Sequence, residues 1–164
     1  MAYAAPAFES KICPPQQLAG RLASIERPLV FTNGVFDLLH RGHVTYLAQA
    51  RSLGASLLVA LNSDASARRL GKGLDRPIQA LPDRAAVIAA LESVSLVTWF
   101  EEDTPLALIL AARPELLAKG GDWQPETIVG APEVRAWGGS VYSIPFLYER
   151  STTSILHRIR DKNP

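Results

Sequence analysis

Apolar residues along this chain alternate between two spacings. Short, nearly continuous apolar runs are separated by stretches in which apolar residues recur every three or four positions. These are the signatures of buried strands and of amphipathic helices. Leu18, Leu22 and Ile25 keep helical spacing. Residues 29–32 form a β-rich run, the first expected strand. Val44, Leu47, Ala48 and Arg51 then mark a helix over 42–53, which Gly54 stops. A second strand is expected over 56–61 and a short helix over 64–70, with Ser63 or Asp64 as its cap. Residues 71–80, rich in Gly, Lys, Arg and Pro, read as a loop. Asp83 is expected to cap a helix running to about residue 92.

The same rhythm continues to the end of the chain. A third strand is expected over 95–100, and Thr104 and Pro105 suit the cap and first position of the next helix. Strands over 116–119 and 140–144 follow, then a final helix near 153–160 capped by Ser151 or Thr152. Strands alternating with helices predict an α/β fold: one domain with a parallel five-stranded sheet and helices on both faces. Residues 1–16, with three prolines and no clear period, read as an N-terminal arm, and 17–164 as the domain. Parallel sheets of this kind bind ligands beyond the carboxyl ends of their strands, where the strand order reverses. The loops beginning at Asn33, Asn62, Glu101, Gly120 and Pro145 are therefore expected to border the site.

Composition narrows the function. The 164 residues are enough for one core, and 48% apolar with 20% charged residues is the balance of a folded domain. A formal net charge of +1 provides no broad field for nucleic acid or anionic lipid, so any anion must be held locally. No apolar run approaches the length that spans a bilayer. The N-terminus lacks the basic start and apolar stretch of a secretory signal, so a cytoplasmic location is expected. Cys13 is the single cysteine and reads as an incidental thiol. No Cys/His spacing suggests a metal site, so no residue is assigned to a metal.

The segment from Thr32 to His43, TNGVFDLLHRGH, carries the chemistry. It takes the chain from the first strand, through a glycine turn, into a helix. Amides at a helix start, with the positive end of its dipole, hold phosphate oxygens. His40 and His43 flank Gly42 and each can donate to a phosphate. Neither the Walker P-loop pattern nor a G-x-G-x-x-G after the first strand is present. Isolated, H-x-G-H is weak, and its histidines equally read as decoration at a helix start. The longer pattern of Gly34, Phe36, Asp37, His40, Gly42 and His43 after the first strand is far more specific.

Those residues, together with Ser151-Thr152-Thr153 near the C-terminus, resemble the cytidylyltransferase-like, H-x-G-H nucleotidyltransferase superfamily. Within it the chain is most similar to the heptose 1-phosphate adenylyltransferases, whose Rossmann-like α/β fold agrees with the pattern of elements above. The likeness covers roughly residues 11–160 and includes NSDAS after Leu61, RPI at 76–78, FEEDTP, KGGDW, IVG and GGSVYSIPF. Departures are Val35, where that family usually has Cys, and Gly54-Ala55, where Gly-Asp is usual. Phe146 stands where glycerol-phosphate cytidylyltransferases carry an arginine, which argues against CTP.

The resemblance implies transfer of AMP from ATP, with Mg²⁺, to a sugar 1-phosphate, D-glycero-β-D-manno-heptose 1-phosphate. The products would be ADP-heptose, for lipopolysaccharide cores, and pyrophosphate. It implies catalytic roles for His40, His43 and Lys119. The nucleotide would meet Thr32, Asn33, Gly34, Phe36, Gly42, Lys72, Gly120, Asp122, Ser151, Thr152 and Thr153. The acceptor would meet Asp37, Asn62 and Arg84. Plainer readings stand beside these: Lys72 as a solvated loop charge, Ser151 as a helix cap, Asp122 as a turn residue, Arg84 as a helix-face charge, Trp99 and Trp123 as packing residues. The resemblance also implies a homodimer. At 164 residues the chain leaves no room for the sugar-kinase domain many relatives carry, so a separate kinase is expected to supply the acceptor. The rival readings are a cytidylyltransferase for a polyol or amino-alcohol phosphate and a non-catalytic nucleotide sensor.

Overall fold

The computed structural model describes residues 4–71 and 76–148, with residues 155 and 159. Five strands form one sheet: β1 (Leu29–Gly34), β2 (Ser56–Asn62), β3 (Leu96–Phe100), β4 (Leu116–Gly120) and β5 (Ser140–Ile144). The order is β3-β2-β1-β4-β5 and every pairing is parallel. Chain progression therefore reverses direction between β1 and β4.

Burial on both faces explains the unbroken apolar runs. All seven residues of β2 are buried. Alternate side chains feed two cores. Leu57, Val59 and Leu61 pack with Leu47 and Ala50 of α2 (Arg41–Arg51) and with Ala85 and Ile88 of α4 (Leu81–Ala89). Leu58 and Ala60 join the opposite core, with Leu18 of α1 (Leu18–Leu22), Ile109 of α5 (Leu106–Ala112) and Val134 of α6 (Ala131–Ala136). A further helix, α3 (Asp64–Arg69), follows β2 and is capped by the Ser63 hydroxyl, which accepts from the Ser66 amide. At the β3 edge, the Cys13 amide donates to Val97 O at 2.8 Å and Ile12 bridges Val97, so residues 12–13 shield that edge.

Three local expectations shift. The fourth helix starts at Leu81 with Ala80 as its N-cap, and Asp83 lies inside the first turn. Pro82 accounts for this, because proline suits a first turn where no amide partner is needed. Pro105 is an N-cap instead of the first helical residue. The helix α6 has no counterpart in the sequence reading, since six residues holding a proline and flanked by glycines show no legible period. Of the last expected helix, Ile155 and Ile159 are described, and both are helical.

Candidate active site

The site lies at the reversal of strand order. The β1–β4 ladder pairs Val30 with Leu116 and Phe31 with Leu117. At the next position the Tyr46 hydroxyl stands between the strands. It donates to Ala118 O at 3.1 Å and accepts from the Thr32 hydroxyl at 2.5 Å. Burial pushes the Tyr46 phenol well above its usual range, so it stays a donor. The wedge joins two strands that carry the cleft's floor. Tyr46→Phe should lower stability by about 1–3 kcal/mol, because it strands a buried carbonyl and hydroxyl. An unchanged urea midpoint would show that the wedge contributes nothing.

Beyond the ladder, Lys119 at the end of β4 reaches back to β1. Its Nζ donates to Asn33 O and Asn33 Oδ1, each at 3.1 Å. The turn after β1 is tight. A Cβ on Gly34 would stand 2.9 Å from the Phe36 ring, so any larger residue would have to displace that ring. Phe36 itself has φ 47°, a conformation that costs a bulky residue about 1–3 kcal/mol and persists only where the surroundings hold it. Its ring meets His43 edge-on, with centroids 5.2 Å apart.

His40 is the N-cap of α2, in extended conformation, and its side chain makes no capping bond. Its ring instead stacks on His43 with centroids 3.7 Å apart and 20° between planes. A Cβ on Gly42 would lie 3.0 Å from Tyr148 O and 3.1 Å from the His40 ring, which explains a glycine between the histidines. Nδ1 of each imidazole is buried without a hydrogen-bond partner among the described residues. Burial lowers the pKa of His40. His43 is lowered to about 4, first by burial and then by His40, against an opposing contribution from the Leu38 backbone. Two neutral, stacked imidazoles at a helix start therefore face the cleft, ready to take up charge when an anion arrives.

Behind them lies a charged network. Asp37 is 2% exposed; its carboxylate accepts from the amides of Ile78 and Gln79 and pairs with Arg76 Nε at 3.0 Å. Arg84 is wholly buried. It donates to Gln79 O, Val35 O and Asn62 O and pairs with Asp64 at 2.6 Å.

Two cavities open on either side of the Asn33–Val35 turn. The larger, about 660 Å³, is lined by His40, His43, Tyr46, Gly120, Trp123 and Phe146, among others. The smaller, about 380 Å³, is bordered by Asn62, Leu70, Thr104 and Ile128. Asn33, Gly34, Val35, Lys119 and Trp123 line both. Thr32 is buried one layer beneath, its hydroxyl engaged by Tyr46, and Asp122 is exposed beside the cleft. Lys72, Ser151, Thr152 and Thr153 lie outside the described residues.

Sequence reasoning missed Tyr46 and Arg76 as cleft residues, and placed Gly121 and Phe146 only as parts of loops bordering the site. Tyr46 was accessible to it, since three positions beyond His43 falls on the same helix face. Trp123, expected as a packing residue, is 50% exposed; its indole Nε1 donates to Gly120 O and Lys119 Nζ stands 5.8 Å from its ring.

Known proteins resemble this arrangement. The cytidylyltransferase-like family profile matches residues 31–155. A D-beta-D-heptose 1-phosphate adenylyltransferase from Bordetella bronchiseptica is 56% identical over 155 residues, covering 93% of this chain and 96% of that protein. The bifunctional protein HldE of Magnetococcus marinus is 54% identical over 144 residues, 88% of this chain but 29% of that longer protein. Among solved structures, the lipopolysaccharide core biosynthesis protein of Thermoplasma volcanium superposes with a TM-score of 0.60 at 27% identity, over 74% of this chain and 98% of that one.

Proposed function

The chain belongs to the cytidylyltransferase-like family, and from that premise we propose that it joins ATP and D-glycero-β-D-manno-heptose 1-phosphate into ADP-heptose and pyrophosphate. It is a nucleotidyltransferase of the heptose 1-phosphate adenylyltransferase kind. The relatives support the choice of substrates, and the geometry that carries the transfer is the pair of cavities sharing one wall. A reaction between two bound phosphates needs two compartments that meet at the reacting atoms, and here they meet at the Asn33–Val35 turn and Lys119.

The ATP phosphates settle against His40, His43 and the first amides of α2, with the base between Phe146 and Trp123 in the larger cavity. The sugar phosphate enters from the smaller cavity, beside Asn62. One of its oxygens attacks the α-phosphorus in line, and the bond to the β-phosphate oxygen breaks. Pyrophosphate leaves with the electron pair. Little covalent work falls to the protein; positioning and charge stabilisation carry the rate. Lys119 stands where both phosphates converge, and the imidazoles donate to the leaving group as its charge grows. ATP arrives as its Mg²⁺ complex. Bound to the phosphates, the ion would offset part of their charge during the transfer.

Two subunits per particle, a sugar kinase that makes the acceptor, and a cytoplasmic setting complete the proposal. Among the described residues no helix is long and apolar enough to cross a membrane. Pyrophosphate release, measured with each of the four nucleoside triphosphates against heptose 1-phosphate and glycerol phosphate, tests the assignment. Turnover confined to ATP with heptose 1-phosphate is expected. Turnover of CTP with glycerol phosphate would overturn it.

A further inference from the structure

Asp37 and Arg84 hold the backbone of one residue between them. The Gln79 amide donates to Asp37 Oδ1 at 3.0 Å, and the Gln79 carbonyl accepts from Arg84 Nε at 3.0 Å. Arg84 also donates from Nη1 to Val35 O at 2.7 Å. The residues on each side of Phe36 are thereby tied to the same stretch of chain: Val35 through the guanidinium, Asp37 through its own carboxylate. Between those anchors Phe36 takes its left-handed conformation and lays its ring edge-on to His43.

Neither charge is left for a substrate. The Asp37 side chain is 1% exposed and its carboxylate faces Arg76 and two amides. Four of the hydrogen bonds an arginine can donate are made by Arg84 inside the protein, one of them to Asp64. Asp37 and Arg76 border the larger cavity, but a phosphate reaching the carboxylate would meet like charge and would have to break these contacts.

We propose that Asp37 and Arg84 are positioning residues that clamp the Gln79 backbone on both sides and, through Phe36, set where the His43 ring stands, without touching either substrate. The inference rests on the nucleotidyl-transfer reading for its kinetic consequence and on geometry alone for its structural one. A ring shifted by about 1 Å at a reacting phosphate costs rate and leaves ground-state binding largely intact.

The test compares wild type, Asp37→Asn, Phe36→Ala and the double variant. Asp37→Asn keeps the size and one acceptor oxygen and loses the charge facing Arg76. It is expected to lower kcat about 10-fold while the ATP Kd and the KM for the sugar phosphate change by less than about threefold. Combined with Phe36→Ala it should cost less than the product of the two single effects, because both act along one line. The His43 ring-proton resonances of the ligand-free protein, shifted by the Phe36 ring, should move in the same direction in both single variants. If Asp37→Asn does not fold, Arg84→Lys, which keeps the charge and loses the fork to Val35 and Gln79, carries the same measurements. A KM for the sugar phosphate raised about 10-fold or more at constant kcat would establish direct contact and overturn the proposal. A lower melting temperature with kcat and the His43 resonances unmoved would overturn it as well, leaving a support for the fold alone. The resonances need no substrate, so they decide the clamp even if heptose 1-phosphate proves not to be the acceptor.

Discussion

Replacing His43 by alanine is expected to cut turnover by about 100-fold or more, with the fold intact. The ring is held from two sides, by His40 at 3.7 Å and by Phe36 at 5.2 Å, and protein atoms leave its Nδ1 unpartnered among the described residues. A residue serving only the helix start would not be sandwiched in this way. In the proposed reaction, negative charge builds on the oxygen that leaves with pyrophosphate, and a donor placed at that oxygen acts more in the transition state than in the ground state. The loss should therefore fall on kcat more than on the ATP Kd. His40→Ala should behave similarly and should also loosen His43, since the two rings stack. Their combined loss should fall short of the product of the single ones. Steady-state pyrophosphate release together with nucleotide binding by calorimetry measures both quantities. Turnover within about twofold of wild type in His43→Ala would remove the histidines from the mechanism, and with them the assignment of the larger cavity to the triphosphate.

The second large effect is on stability in acid. His43 is pushed from the ordinary 6.5 down to about 4 in the folded protein, chiefly by burial. Between those values the unfolded chain binds a proton that the folded chain refuses, so stability rises with pH across that window. The contribution is fully present above about pH 6.5, fades as pH falls through the folded value, and changes no further below it. At about 1.4 kcal/mol per pH unit, the loss amounts to roughly 3 kcal/mol. Burial depresses His40 in the same direction, which steepens the same limb. Urea midpoints at pH 7, 6, 5 and 4 should therefore fall steeply in wild type and less steeply in His43→Asn. Parallel curves for the two proteins would show that His43 does not titrate this way. Bound triphosphate should reverse the shift, because an anion favours the imidazolium. ATP binding near pH 6 should then take up protons, visible in calorimetry as a dependence on the buffer's ionisation heat.

The local pattern settled much of this molecule before any tertiary contact was known. Residues 56–61 are apolar without interruption because both faces of β2 are covered, and that reading survives with only Asn62 added at its end. The motif around Gly34, His40, Gly42 and His43 could be placed between the first strand and its helix from spacing alone, because helix starts and glycine turns are local events. Short helices with proline at the start, such as α6, escaped because six residues do not establish a period.

What the chain could not disclose by itself concerns partners far apart in sequence. Arg84 reads in sequence as an acceptor contact or a helix-face charge; only the packing of α4 buries it and supplies Asp64 and the Val35 and Asn62 carbonyls. Asp37 reads in sequence as an acceptor contact; that Arg76 and the Ile78 and Gln79 amides meet its carboxylate is visible only in the folded chain. The division of the site into two cavities depends on β4 lying beside β1, with Tyr46 wedged where the ladder stops. Hydrophobic periodicity records whether a position faces the core or the solvent. Which buried charges and hydroxyls then satisfy one another is decided by strand order and helix packing, because a desolvated polar group must take the partners the fold brings to it.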